Sequence, residues 1–147
     1  MNWDGPILTD IGRYQILSLA KLRKISEEGV EFQNHVDVTP AFISPEIAMG
    51  SQAALGSDIA MVPDECAPWP CEYDYAAQSA EMTTRWAMRC KAKSEIDCQL
   101  LFGIMHDATF DDLRKQSAQA IVDLDFGGYA IGGVSVDEPE RARTSSV

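Results

Sequence analysis

Apolar residues in this chain gather into short runs, and four of those runs end in a polar or glycine-rich turn. They lie at 5–15 (GPILTDIGRYQ), 54–66 (ALGSDIAMVPDEC), 101–107 (LFGIMHD) and 128–139 (GYAIGGVSVDEP). This is the pattern of strands buried in a parallel sheet that deliver polar groups to one rim. Ile7-Leu8-Thr9 predicts a short strand ending at Asp10. Residues 16–25 place Ile16, Leu19, Leu22 and Ile25 at helical spacing. Val30, Phe32 and Val36 alternate with polar residues, which predicts a β-hairpin over 29–42 turning at Asp37-Val38-Thr39-Pro40. Ser44-Pro45-Glu46 opens a helix that runs to Leu55 and stops at Gly56. A strand over 58–62 follows, and Pro63, Pro68 and Pro70 make the next segment a rim loop.

The clearest helix spans 74–93, with Ala77, Ala80, Met82, Trp86, Ala87 and Cys90 on its buried side. A strand is expected over 100–105. A helix over 109–124 opens at Thr109, with Asp111 and Asp112 in its first turn. The last strand covers 129–134 and is broken by Gly132-Gly133. Strands alternating with helices predict an α/β fold with parallel strands. There are about four such strands, where a closed (β/α)8 barrel takes about 250 residues. The expectation is therefore a partial TIM-like (β/α) barrel with flanking helices over 1–140, followed by a polar, disordered tail at 141–147.

The formal net charge of −11 excludes a surface-wide nucleic-acid platform, because phosphate binding needs clustered cations. Two basic groups, at 21–24 and 85–93, read as solvated helix faces balanced by Glu27, Glu28 and Glu81. No run approaches the roughly 20 apolar residues of a membrane span. Met1-Asn2-Trp3-Asp4 lacks the basic start of a signal peptide. A cytoplasmic protein without membrane contact is expected. Cys66, Cys71, Cys90 and Cys98 form no CxxC pair, so thiols are expected rather than a metal site. Cys66 follows Asp64-Glu65 at a strand end and is placed to line a pocket.

Several stretches in order carry a resemblance: MNWDGPILTD, SLAKLRKISEEGVEF, SPEIAM, ALGSDI, DEC.P.P, RWA.RCKA, LFGI, DLR..SA and GYAIGG.SV.EP. Over about residues 1–140 the chain resembles a middle section of the (β/α)8 barrel of the queuine/preQ1 tRNA-guanine transglycosylases. That family exchanges guanine at the tRNA wobble position for a 7-deazaguanine through a covalent enzyme–RNA intermediate. The resemblance implies acid/base chemistry at Asp10, stacking on the purine by Tyr14, and recognition of the guanine-like edge by Asp64. It places Cys66 in the pocket wall, and Gly132 and Gly133 where backbone approaches the base, with Glu138 behind them. His106 stands where the family has a base-binding glutamine.

Other pocket positions also depart from the family pattern TDSGGFQ or TDSGGYQ. Ile11 replaces serine and Arg13 replaces glycine. Asp107 stands in place of a small residue, Asp137 in place of glycine, and Pro63 in place of a residue that is often Phe. The resemblance assigns the nucleophilic aspartate, the Cys/His zinc site and much of the tRNA surface to a C-terminal half outside this sequence, so no cofactor is expected in this chain. The implied partners are guanine or a 7-deazaguanine, tRNA once a complementary half is present, and a second polypeptide or a second copy of the chain. The alternatives are a purine-binding or partner subunit without catalysis, and an inactive remnant of the family.

Overall fold

The four apolar runs form one parallel sheet in the computed structural model, which describes residues 2–11, 24–33, 39–68, 70–94, 99–106 and 110–132. The elements are β1 (Leu8–Thr9), β2 (Lys24–Ser26), β3 (Gly29–Gln33), β4 (Pro40–Ile43), α1 (Pro45–Leu55), β5 (Ile59–Met61), α2 (Tyr73–Lys93), β6 (Leu100–Met105), α3 (Asp111–Asp123) and β7 (Gly128–Ile131). The sheet order β1-β5-β6-β7 follows chain order, and every neighbouring pair is parallel. Helices separate successive strands, which is one arc of a (β/α) barrel.

The second sheet, β2-β3-β4, is antiparallel. Its β3–β4 pair is the expected hairpin, with Phe32 opposite Ala41, but Pro40, expected in the turn, opens β4 opposite Gln33; residues 34–38 lie outside the described residues. The helix expected over 16–25 is corrected at its end. Residues 12–23 are outside the described set, but Lys24 and Ile25 lie in β2, where Ile25 pairs with Val30. The turn at Glu27-Glu28 lets Ile25 reach the same apolar cluster as Val30, Phe32, Met82 and Trp86, so tertiary burial overrides the helical spacing.

Local chemistry explains the boundaries of α1. Ser44 Oγ accepts a 3.2 Å hydrogen bond from the Ile47 amide, Pro45 occupies the first turn, and Gly56 closes the helix with φ +66°. The start of α3 differs from expectation. It begins at Asp111 after Phe110, whose side chain makes no capping bond; Thr109 lies outside the described residues. The last strand, expected over 129–134, ends at Ile131, so Gly132 lies beyond it, and residues 133–147, the expected tail among them, are outside the described residues.

The core lies between the sheet and its helices, where Met49, Ala60, Val62, Ala87, Cys90, Leu101, Ile121 and Phe126 form one buried cluster. Strand β1 pairs only with Ile59 and Ala60, so the backbone of Met61 needs another partner on that side. The buried Gln52 side chain supplies it. Its Nε2 donates to the Met61 carbonyl at 2.9 Å, and its Oε1 accepts from the Met61 amide at 3.1 Å and from Thr9 Oγ1 at 2.9 Å. Helix α2 ties the antiparallel sheet to this core. Arg85 makes two 2.9 Å bonds to the Glu27 carboxylate, and Trp86 Nε1 donates to the Glu27 carbonyl at 2.9 Å. Arg89 bonds the Glu27 and Glu28 carbonyls and grips Glu46 with two bonds of 2.7 and 2.8 Å. The 85–93 basic group is thus largely neutralised within the fold, and Trp86 is core. Among the described residues no helix is long and apolar enough to cross a membrane.

Gln52→Leu keeps the volume but strands the Met61 amide and carbonyl. It is expected to cost about 1–3 kcal/mol in urea unfolding, with the same slope against denaturant. The Arg89 hydrogen bonds hold the Glu46 carboxyl down to about 2, from an ordinary 4.5. A depressed carboxylate stabilises fully above the unfolded value, and that stability drains away as pH falls from 4.5 towards 2. Arg89→Ala should flatten the acid limb of the stability curve in that window. The Arg89–Glu46 pair itself is worth at most about 1 kcal/mol because both groups are partly solvated.

Candidate functional site

In a parallel sheet of this kind the carboxyl ends of the strands share one rim. Asp10 directly follows β1, Asp64 lies three residues beyond β5, His106 directly follows β6, and Gly132 directly follows β7. Tyr14 and Gly133 lie outside the described residues. So do Arg13, Asp107, Asp137 and Glu138.

The segment 62–67 is buried throughout yet belongs to no strand or helix. Asp64 is 4% exposed, Glu65 2% and Cys66 4%. A polar stripe on α2 holds the segment. Ser79 Oγ donates to the Glu65 carbonyl at 2.7 Å, Thr83 Oγ1 accepts from the Glu65 amide at 3.0 Å, and Tyr75 Oη donates to Glu65 Oε1 at 2.9 Å. Tyr75, Ser79 and Thr83 are spaced by four, so one helix face reaches along the loop. Both backbone groups of Glu65 are bonded, and the residues on either side of it, Asp64 and Cys66, are fixed at the rim. Sequence reasoning passed over Glu65 and this stripe. The signal was present as three hydroxyl residues at helical spacing on the face of α2 that turns inward.

From β6, His106 enters the same region with only 2% exposure. Its amide donates to Ser117 Oγ of α3 at 3.2 Å, and its Nε2 lies 3.0 Å from Cys66 Sγ. Gly132 closes against it. The Gly132 amide donates to the Met105 carbonyl at 2.9 Å, and a Cβ built on Gly132 would stand 3.0 Å from His106 Cδ2 and 3.1 Å from Ile104 Cδ1. The bare backbone at 132 therefore lets β7 sit flush against the imidazole. Cys66, His106 and Gly132 are brought together, although 66 residues separate the first from the last.

Asp10 differs from Asp64 in setting. It remains open to water, yet the protein mass around its carboxyl disfavours the charged form and raises it above the ordinary aspartate range. Two carboxylates with unlike surroundings at one rim are suited to separate tasks, one holding or releasing a proton and the other accepting hydrogen bonds. Among the described residues no three His, Cys, Asp or Glu side chains converge to hold a metal ion.

Comparison with known proteins converges on one family. A family model described as queuine tRNA-ribosyltransferase matches residues 1–147. A queuine tRNA-ribosyltransferase of Pelotomaculum thermopropionicum is 58% identical over 141 residues, covering 96% of this chain and 38% of that protein. The relative from Symbiobacterium thermophilum is 59% identical over 142 residues, covering 96% and 36%. That from Staphylococcus epidermidis is 59% identical over 141 residues, covering 95% and 37%. The chain thus spans little more than a third of the length of these curated relatives.

The α2 stripe makes a specific demand on stability. The double variant Ser79→Ala, Thr83→Val leaves the buried Glu65 amide and carbonyl without partners. It is expected to lower unfolding free energy by about 2–4 kcal/mol, and hydrogen exchange should show lost protection at the Glu65 amide ahead of the α2 core.

Proposed function

Because this chain belongs to the queuine tRNA-ribosyltransferase family, we propose that it forms the base-recognising side of a tRNA-guanine transglycosylase. In this reading it takes part in exchanging guanine at the tRNA wobble position for a 7-deazaguanine, once a second polypeptide completes the barrel. The observation that carries the reading is the placement of Asp10, Asp64, His106 and Gly132 at the carboxyl ends of four neighbouring parallel strands.

Asp64 is the residue for the base edge. Its two oxygens can accept from the adjacent ring N–H and exocyclic amine of a guanine-like ligand. Asp10, with its raised carboxyl, is suited to move a proton on the purine. Tyr14 would stack on the base, and the Gly132-Gly133 backbone would lie along it. Cys66 and His106 would form the wall, with an imidazole in place of a carboxamide. The group that attacks the ribose and the zinc ligands would come from the completing polypeptide. The exchange would take place in the cytoplasm. A second copy of the chain is the other candidate for covering the open sheet.

The test is co-expression with the complementary C-terminal part of the Pelotomaculum thermopropionicum relative, followed by a labelled-guanine exchange assay on tRNA. Exchange is expected, and Asp64→Asn should lower it by about 100-fold. A well-formed complex with neither exchange nor calorimetric heat for guanine and preQ1 would refute the reading. Heat that disappears in Asp64→Asn, without exchange, would instead mark a purine-binding subunit.

A further inference from the structure

The end of β1 is held by a side chain where backbone would otherwise hold it. Among the described residues, pairing between β1 and β5 ends at Thr9 and Ala60. Along β5 the backbone groups alternate between the two neighbours: the Ile59 amide donates to the Ile7 carbonyl, and the Val62 amide to the Phe102 carbonyl of β6. The Met61 amide and carbonyl therefore face the β1 side. There the Gln52 carboxamide takes both, at 3.1 and 2.9 Å. A carboxamide carries the donor and acceptor of a peptide group. Gln52 thus fills the place that the next peptide of β1, at Asp10, would take in a longer ladder. We propose that Gln52, acting through Thr9, is a positioning residue that sets Asp10 at a fixed offset from Asp64 across the rim.

Thr9 is the joint. Its hydroxyl donates to Gln52 Oε1 at 2.9 Å, and Ser57 Oγ lies 2.8 Å from the same hydroxyl. Gln99 Nε2 donates in turn to Ser57 Oγ at 3.0 Å and to the Ser57 carbonyl at 2.8 Å. Gln52 is 0% exposed and Ser57 4%, so water competes little for these bonds. Before β1, Asp58 Oδ2 accepts from the Ile7 amide at 2.7 Å. The strand is pinned on both sides, and Asp10 is the residue next to the pinned Thr9.

Asp64 has a different anchor, the α2 hydroxyls that hold the backbone of its neighbour Glu65. Two anchors for two carboxylates make their effects separable. The role of Gln52 rests on the base-exchange reading, in which Asp10 moves a proton on the purine and Asp64 binds the base. Proton transfer needs the carboxyl within about 2.6–3.2 Å of the atom it serves. A misplacement of about 1 Å can cost about 100-fold in rate. Loss of the clamp on Asp10 should therefore slow turnover and leave base binding in place.

The experiment measures guanine exchange by the complemented complex in Thr9→Val, Thr9→Ser and Gln52→Leu. Thr9→Val keeps the shape of the side chain and removes its hydroxyl. It should lower kcat by about 10- to 100-fold, with KM for guanine within about twofold of wild type. Thr9→Ser restores the hydroxyl and should recover most of kcat, which a purely packing role for Thr9 would not produce. Gln52→Leu should match Thr9→Val in kcat, and the double variant should be no slower than either single one. A rise in KM with kcat retained, or equal losses in Thr9→Ser and Thr9→Val, would overturn the proposal. A second arm uses the full chain alone and needs no activity. In nuclear magnetic resonance spectra, Gln52→Leu should move the amide signals of Asp10 and Ile11 and leave those of Glu65 and Cys66 in place. Unmoved Asp10 and Ile11 signals would overturn the proposal too. A wild-type complex without exchange would instead count against the base-exchange reading, and the spectra would then decide the placement of Asp10. If Gln52→Leu does not fold, the Thr9 pair decides.

Discussion

The rim depends on how a buried, irregular segment satisfies its backbone. Val62 still donates to the Phe102 carbonyl of β6 at 3.1 Å, but residues 62–67 then run through the interior outside any strand or helix. Each buried N–H and C=O there must find another partner. The hydroxyls of Ser79 and Thr83 take both backbone groups of Glu65, and Tyr75 takes its side chain. Asp64 and Cys66 owe their positions to this arrangement. Had α2 presented alanine at those positions, the segment would have to move towards water, and the carboxylate and thiol would leave the rim with it.

The same helix fastens the rest of the structure through its other faces. Ala87 and Cys90 pack into the sheet core, while Arg85, Trp86 and Arg89 hold the Glu27-Glu28 turn and Glu46. Helix α2 is therefore joined at once to the rim, the parallel sheet and the antiparallel sheet. Gln52 acts similarly on a smaller scale, continuing the hydrogen bonding of β5 beyond the end of β1. In both cases polar side chains, not additional strands, complete the backbone pairing near the carboxyl rim. That leaves the strand ends irregular enough to present side chains there.

At the rim, His106, which the resemblance sets in place of a glutamine, has a defined neighbour. An imidazole at 106 can share a proton with a thiol, and Cys66 stands at hydrogen-bonding distance from it. The glycine at 132 suits this neighbour, since a Cβ would stand 3.0 Å from the ring and make it give by a few tenths of an ångström. The family resemblance places Gly132 beside a bound base; the structure shows that it also serves the protein's own packing.

Much of the architecture was legible in the chain. Strand β6 at 100–105, the Ser44-Pro45-Glu46 start and Gly56 stop of α1, the long α2 with Trp86 in the core, and the hairpin of β3 and β4 all follow from short-range signals: apolar runs, caps and alternation. The helical spacing ending at Ile25 misled, because β2 is set by pairing with β3 across a turn and by burial against α2, which spacing within one segment does not record. The candidate site divides in the same way. Sequence alone placed Asp10, Asp64 and His106 at or just beyond the ends of successive strands, but set Gly132 within a last strand over 129–134, whereas β7 ends at Ile131. Tertiary structure decided that Cys66 meets His106, that Gly132 seats the imidazole, and that α2 anchors Glu65, because those contacts join residues far apart in the chain and depend on how strand and helix are turned towards one another.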